Sequence, residues 1–131
     1  MLIDRIATLP RTSSLDATQA RLIGAMRSWV VAHRKGQVPA QAVKDRLGSA
    51  RAAAHVELLL AEIGCAWPDP FAIAPPCCPQ LSHDEALVAG MLQLAMDGDR
   101  PAFDRLLSDL LPVDERERLF LSMRVLGDVL G

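Results

Sequence analysis

The chain has 131 residues, half of them hydrophobic, and a formal net charge of −2. This length and composition predict a single domain over residues 1–131 whose core needs no disulfide or metal. The small negative charge argues against a general nucleic-acid binder, and no apolar run reaches the ~18 residues that would span a membrane.

The first residues and the cysteine count bear on the compartment. The segment MLIDRIATLP has an acid at position 4 and none of the apolar stretch that marks a secretory signal peptide. Three cysteines are an odd number, which does not suit a framework of disulfides. We therefore expect a cytoplasmic protein with reduced thiols.

The charge is distributed unevenly along the chain. Residues 1–65 carry nine Lys/Arg and five Asp/Glu, a net charge of +4, whereas residues 66–131 carry five and eleven, a net charge of −6. We expect the two halves to pair with each other, within one chain or across a dimer. The alternative is a phosphate-binding face made of Arg21, Arg27, Arg34, Lys35, Lys44, Arg46 and Arg51.

Apolar residues recur at helical spacing, and sustained period-two alternation is absent from the sequence. We therefore predict an all-α fold, a compact bundle of five or six helices. The first helix is predicted over residues 15–34, with Ser14 as its N-cap and Gly36 just after its end. The second is predicted over residues 39–47, because a proline suits the first helical turn.

Two further helices carry start signals. The third is predicted to follow Ser49, a good N-cap, and to stop at Gly64. The fourth opens with Ser82 and Glu85, which have the spacing of a capping box.

The fourth helix is nearly apolar all round, since Gln93 is the only polar side chain from residue 86 to residue 96. Such a helix is buried on most sides, and we expect it at the centre of the bundle. Gly90 lies inside it at a cost of roughly 1 kcal/mol relative to alanine, which predicts a close backbone crossing there.

The fifth helix is predicted to start near Asp99 and to end before Pro112. The sixth is predicted to start at Asp114, with Glu117 in the capping-box position. It has more apolar side chains than one buried face requires. Those outside its main stripe are Phe120, Val125 and Val129, and we predict that they form the contact of a homodimer.

A long loop separates the third and fourth helices. Residues 65–81 contain five of the nine prolines and all three cysteines. Loops of this length are usually functional or disordered. Since Trp67, Phe71 and Ile73 are apolar enough to anchor the loop on the bundle, we predict an ordered loop.

The cysteines of this loop are the main chemical signal of the sequence. Zinc prefers thiolate and imidazole ligands, and Cys65, Cys77, Cys78 and His83 would supply four of them. The spacing departs from the usual patterns, in which cysteines lie two to four residues apart. We expect instead that the cysteines are small buried apolar side chains, with Cys77 or Cys78 packed inward, in a segment whose prolines make a rigid lead-in to the fourth helix. The remaining alternative is a redox-active pair at Cys77 and Cys78.

The segment PPCCPQLSHDEALV, residues 75–88, resembles the Pro-Cys-Cys-Pro-x-Ser/Thr-x-Asp-Glu segment of a family of short uncharacterised bacterial all-helical proteins. The resemblance implies a recurring type of small helical protein. It implies no activity, so no catalytic residue is carried over from it.

The sequence contains no HExxH, GxSxG or phosphate-cradling glycine motif, and we predict neither catalytic residues nor a cofactor. The expected function is a non-enzymatic interaction or regulatory module with an unidentified protein partner. One alternative is a thiol-based metal or redox sensor that uses the Cys77–Cys78 loop, with zinc as the candidate metal. Another is a small-ligand binder with a pocket between the loop and the central helix.

Overall fold

The computed structural model describes residues 10–131, which form six α-helices after a short 3-10 turn at Thr12–Ser14. The helices are α1 (Ala17–Arg34), α2 (Pro39–Leu47), α3 (Ala50–Ala66), α4 (His83–Met96), α5 (Arg100–Leu107) and α6 (Val113–Leu130). This part of the chain contains no strand, so the all-α prediction is confirmed. None of the helices described is both long and apolar enough to cross a bilayer.

The core forms where α4 meets α1, α5 and α6, while α3 packs between α2 and α6. The side chains of Met91 and Leu92 on α4 are fully buried. Their neighbours in the core include Leu22, Met26, Leu59, Phe103, Met123 and Leu126. The prediction that the fourth helix is central is therefore confirmed.

The start of α1 differs from the prediction. The helix begins at Ala17, and its N-cap is Asp16, whose carboxylate accepts from the backbone N of Gln19 at 2.8 Å. The Gln19 side chain accepts in return from the backbone N of Asp16 at 3.0 Å, which completes a capping box. Ser14 belongs to the preceding 3-10 turn, where its hydroxyl donates to the backbone O of Arg11 at 2.6 Å.

The end of α3 also differs. Gly64 lies inside the helix, which continues through Cys65 and Ala66. The helix stops because Pro68 restricts the residue before it to extended backbone, and Trp67 has φ −67° and ψ 130°. Cys65 is therefore a helical residue and not part of the loop predicted over residues 65–81.

The close backbone approach predicted at Gly90 is not found there. The nearest heavy atom to a Cβ built on Gly90 is a methyl carbon of Leu106 at 3.8 Å, an ordinary contact. A Cβ on Gly127 would lie 2.6 Å from Cγ of Met96. The missing side chain at Gly127 thus makes room for the side chain of Met96 at the end of α4.

Of the N-caps predicted for the last two helices, the structure confirms the one of α5 and not the one of α6. The side chain of Asp99 accepts from the backbone N of Ala102 at 3.1 Å and caps α5 as expected. By contrast, α6 begins at Val113 with no side-chain cap. Its Glu117 accepts from Arg100 at 2.8 Å instead of closing a capping box.

Candidate functional site

The segment between α3 and α4, residues 67–82, is here named the thiol loop. Its first part is fastened to the start of α4 by Asp84, whose carboxylate accepts from Trp67 Nε1 at 3.2 Å and from the backbone N of Ala72 at 2.7 Å. The Ser82 hydroxyl donates to the backbone O of Ala72 at 2.6 Å. The rings of Trp67 and Phe71 meet edge to face at 5.1 Å between centroids. The prediction of an ordered, anchored loop is confirmed.

The second part of the thiol loop is paired with the start of the described chain. The backbone N of Thr12 donates to the O of Pro79 at 2.8 Å, and the backbone N of Leu81 donates to the O of Pro10 at 2.9 Å. These two bonds make a single antiparallel bridge. The loop is therefore held from two sides.

The third attachment of the thiol loop is a buried ion pair. Arg27 of α1 is 4% exposed and Glu85 of α4 is 0% exposed. Arg27 donates through Nε to Glu85 Oε2 at 2.8 Å and through Nη2 to Glu85 Oε1 at 2.9 Å. It also donates through Nη1 to the backbone O of Cys78 at 3.0 Å and through Nη2 to that of Gln80 at 3.1 Å. One side chain thus joins α1, α4 and the loop.

Glu85 has a second role in the same cluster. Its Oε1 accepts from the backbone N of Ser82 at 2.9 Å, and the Ser82 hydroxyl accepts from the backbone N of Glu85 at 3.0 Å. The predicted capping box of α4 is therefore confirmed. The same carboxylate caps the helix and neutralises Arg27.

The electrostatics of this centre favour the charged guanidinium. The hydrogen bond with Glu85 raises the pKa of Arg27 above its ordinary value, against the opposing effect of burial. The charge of Glu85 acts in the same direction on this pKa, as do, to a smaller extent, Cys78 and Cys77. Arg27 therefore keeps a permanent positive charge beside the thiol pair.

From the sequence, Arg27 is only a member of the alternative phosphate-binding face, and the pattern does not indicate this centre. One local signal was available: Arg27 follows Ile23 by four residues on the apolar side of α1, where a solvated arginine does not belong. Its partner is 58 residues away in the sequence, so periodicity cannot pair the two. The structure removes Arg27 from the proposed phosphate-binding face.

The cysteines are less buried than expected. The prediction of small buried side chains is wrong for Cys65 and Cys77, which are exposed, and Cys78 is half-buried. The backbone N of Cys78 donates to the O of Pro75 at 3.0 Å, so residues 75–78 form a tight turn with Cys77 on its outer side. The contact of this turn with Arg27 is made by its backbone, through the O of Cys78.

The four predicted zinc ligands do not converge. Among residues 10–131, no three His, Cys, Asp or Glu side chains lie close enough together to hold a metal ion. Cys65 lies in α3, which continues two residues beyond its predicted end at Gly64. His83 is an exposed residue in the first turn of α4. Cys77 and Cys78 are left as an adjacent pair.

The predicted dimer contacts on the last helix have different surroundings. Phe120 is 8% exposed and packs edge to face on Phe103 at 5.1 Å between centroids, with Arg100 over its ring at 5.0 Å. It belongs to the core because α5 folds back over this side of α6, and so it is not a surface contact. Val125 is 37% exposed, and Val129 is half-buried against the core.

Two surface cavities border the second half of α3. The α3–α6 cavity, about 360 Å³, is lined by Ala61, Glu62, Cys65, Ala66, Glu115, Arg118 and Leu119. The α1–α3 cavity, about 350 Å³, is lined by Trp29, Val30, Glu57, Leu60, Ala61, Ile63, Gly64, Phe71 and Ile73. The cavity beside the loop is lined by α1 and α3 and by no residue of the central helix, so the expected location of the pocket was wrong.

Neither a family model, nor a curated protein, nor a solved structure matches this chain. The resemblance of residues 75–88 to the Pro-Cys-Cys-Pro family therefore stays a prediction. Two residues, Gln80 and Leu81, stand between Pro79 and Ser82 here, where the family segment has one.

Proposed function

We propose that this protein is a non-enzymatic regulatory module whose responsive element is the thiol pair Cys77–Cys78. The observation that carries the proposal is the arrangement of Arg27. It is buried, bonded to Glu85, and hydrogen-bonded to the backbone O of Cys78, whose neighbour Cys77 is exposed to solvent. A chemical change at the thiols is thereby connected to the core through one side chain.

The chemistry is a reversible thiol–disulfide exchange. The two thiols give up their two protons and form one S–S bond between Cys77 and Cys78. The two electrons reduce a small disulfide such as oxidised glutathione, which leaves as two thiols that carry those protons. The reverse reaction restores the reduced pair, so no cofactor is consumed.

The geometry of adjacent cysteines makes the oxidised form a strained one. The Cα atoms of consecutive residues lie about 3.8 Å apart across a trans peptide, whereas those of a relaxed disulfide lie about 4.4–6.8 Å apart. Closing the bond must therefore reshape the turn at residues 75–78. Strained and exposed disulfides are the easily reduced, regulatory kind. The reshaped turn would pull the backbone O of Cys78 away from Arg27.

The test is a redox titration of the Cys65→Ser variant, which keeps only the loop thiols. After equilibration with mixtures of reduced and oxidised glutathione, alkylation and mass measurement count the free thiols. We expect Cys77 and Cys78 to be lost together, with no glutathione attached to the product. The oxidised form is expected to unfold at a lower temperature, because the bond between Arg27 and the thiol loop is lost.

The matched control is the Cys77→Ser, Cys78→Ser double variant, whose unfolding temperature should be the same at every glutathione ratio. Two free thiols across the whole titration would refute the proposal. So would an oxidised protein that unfolds at the temperature of the reduced one. Within this proposal the module acts on a protein partner in a reducing, cytoplasmic compartment, where exposed thiols stay free until an oxidant appears.

A second candidate function, the binding of a small apolar ligand, is favoured by the α1–α3 cavity. Its aromatic wall is fixed in place, since Trp29 Nε1 donates to Glu57 at 2.8 Å and Phe71 packs on Trp67. Concave, preformed and mainly apolar sites are typical of ligand pockets. An apolar fluorescent probe should bind the native protein and bind Leu60→Asp at least ten-fold more weakly. The control Leu58→Asp, on the same helix outside the cavity, should bind it normally.

A further inference from the structure

We infer that the ligand of the α1–α3 cavity is a small apolar amine, which binds as a cation with its ammonium group at the carboxylate of Glu57. The inference rests on the second function proposed above, the binding of a small apolar ligand, and adds the charge of that ligand. Of the described residues that line the cavity, Glu57 alone is charged, and the others are aliphatic, aromatic or glycine. The cavity therefore offers one charged group in an apolar wall.

The Glu57 carboxylate has one oxygen engaged within the protein and the other accessible. Its Oε1 accepts from Trp29 Nε1 at 2.8 Å. Within residues 10–131, its Oε2 accepts no hydrogen bond and is not buried. The bond with Trp29 holds the carboxylate at the cavity before any ligand arrives, and such preorganisation lowers the cost of binding.

The charge of Glu57 is not neutralised within the described chain. Among residues 10–131, no lysine, arginine or histidine forms an ion pair with it. Lys44 lines with Glu57 a separate cavity between α2 and α3, and His33 stacks on the ring of Trp29 at 5.1 Å between centroids. Neither side chain makes an ion pair with the carboxylate, so an ammonium ligand would supply its counter-charge.

This charge discriminates between ligands of the same shape. A neutral ligand that filled the cavity would remove water from the Glu57 carboxylate without replacing its hydrogen bonds, which is costly. An anionic ligand would be repelled. An ammonium group instead donates charge-assisted hydrogen bonds to the carboxylate. The rings of Trp29 and Phe71 belong to the same wall, and aromatic rings attract a cation that has lost its water.

Hexylamine and 1-hexanol test the inference, because they have the same number of non-hydrogen atoms and only the amine is charged at neutral pH. Binding is followed by NMR at the indole N–H of Trp29, which donates to Glu57. The indole N–H of Trp67, which donates to Asp84, is the reference outside the cavity lining. We expect the native chain to bind hexylamine at least about ten-fold more tightly than 1-hexanol, as a hydrogen bond to a charged group predicts.

The decisive variant is Glu57→Gln, which keeps an acceptor for Trp29 and removes the charge. It should bind the two compounds equally. The matched control is Glu62→Gln on the same helix, at a residue that lines the α3–α6 cavity and not this one, and it should keep the native preference. Equal binding of both compounds to the native chain would overturn the inference and leave the apolar-ligand function standing. So would a preference that survives Glu57→Gln, or one that Glu62→Gln abolishes as well. If neither compound shifts the Trp29 signal, both the inference and the apolar-ligand function are wrong.

Discussion

At the scale of single residues, Arg27 determines how the thiol loop is attached. A buried guanidinium lowers stability unless its donors are used, and here four hydrogen bonds lead to Glu85 and to two loop carbonyls. Taking both charges out of water offsets much of the attraction between them, so the pair contributes little net stability. Its effect is to fix one position of the loop relative to α1 and α4.

Replacing Arg27 by methionine should destabilise the protein by about 3–5 kcal/mol, because Glu85 would be left buried without its counter-charge. Chemical denaturation measures this difference. The double variant Arg27→Met, Glu85→Leu should recover part of the loss, since no uncompensated charge remains. The control is Arg118→Ala, which removes an exposed pair with Glu115 and should cost no more than about 1 kcal/mol. Equal losses in Arg27→Met and Arg118→Ala would contradict this account of the centre.

At the scale of elements, the start of α4 is fixed by the Ser82 hydroxyl, which makes two hydrogen bonds. Ser82 accepts from the backbone N of Glu85 and donates to the backbone O of Ala72, so it caps the helix and ties the loop to it. Ser82→Ala should cost about 1–2 kcal/mol in thermal or chemical unfolding, towards the upper end for a cap. Ser14→Ala is the matched control, because that hydroxyl bonds only within an exposed turn. A loss in Ser14→Ala as large as in Ser82→Ala would count against this role.

A substitution at Gly64 of α3 should raise the stability of the protein, whereas the substitutions above lower it. Gly64 has helical backbone, and no heavy atom lies within 4 Å of a Cβ built on it. Gly64→Ala should therefore stabilise the protein by about 0.5–1 kcal/mol, mainly by restricting the unfolded chain. Gly127→Ala is the control within α6, where the new methyl group would meet Met96 and should cancel or reverse the gain. The unfolding midpoints of the two variants measure both effects. A destabilised Gly64→Ala would contradict the open space found around this position.

At the scale of the whole molecule, the sequence specifies the helices better than their connections. Periodic apolar residues, together with cap, proline and glycine signals, locate the six helices, because each must bury one face and end its backbone hydrogen bonding. The helix boundaries that were predicted wrongly are set by single residues at the helix ends. Pro68 ends α3, and α1 starts at the capping box of Asp16 and Gln19. The centre at Arg27 depends on a partner in another helix, which one sequence without its fold does not reveal.

The ion pairs of the whole molecule can be compared with the uneven charge of its two halves. Within residues 10–131, the Arg27–Glu85 pair is the one ion pair that joins the basic half to the acidic half. The remaining pairs lie inside residues 100–118. The expected pairing of the halves therefore occurs in the core at a single site, and most of the charge difference stays on the surface.

The central claim is that the state of Cys77 and Cys78 is transmitted to the fold through the thiol loop. Amide hydrogen exchange of Cys65→Ser, measured for the reduced and the glutathione-oxidised protein, tests it most directly. We predict that oxidation speeds exchange at the amides of Thr12, Cys78 and Leu81, whose hydrogen bonds lie within the loop or join it to residues 10–12, while the core of α4 stays protected. Equal protection of these three amides in both redox states would contradict the account.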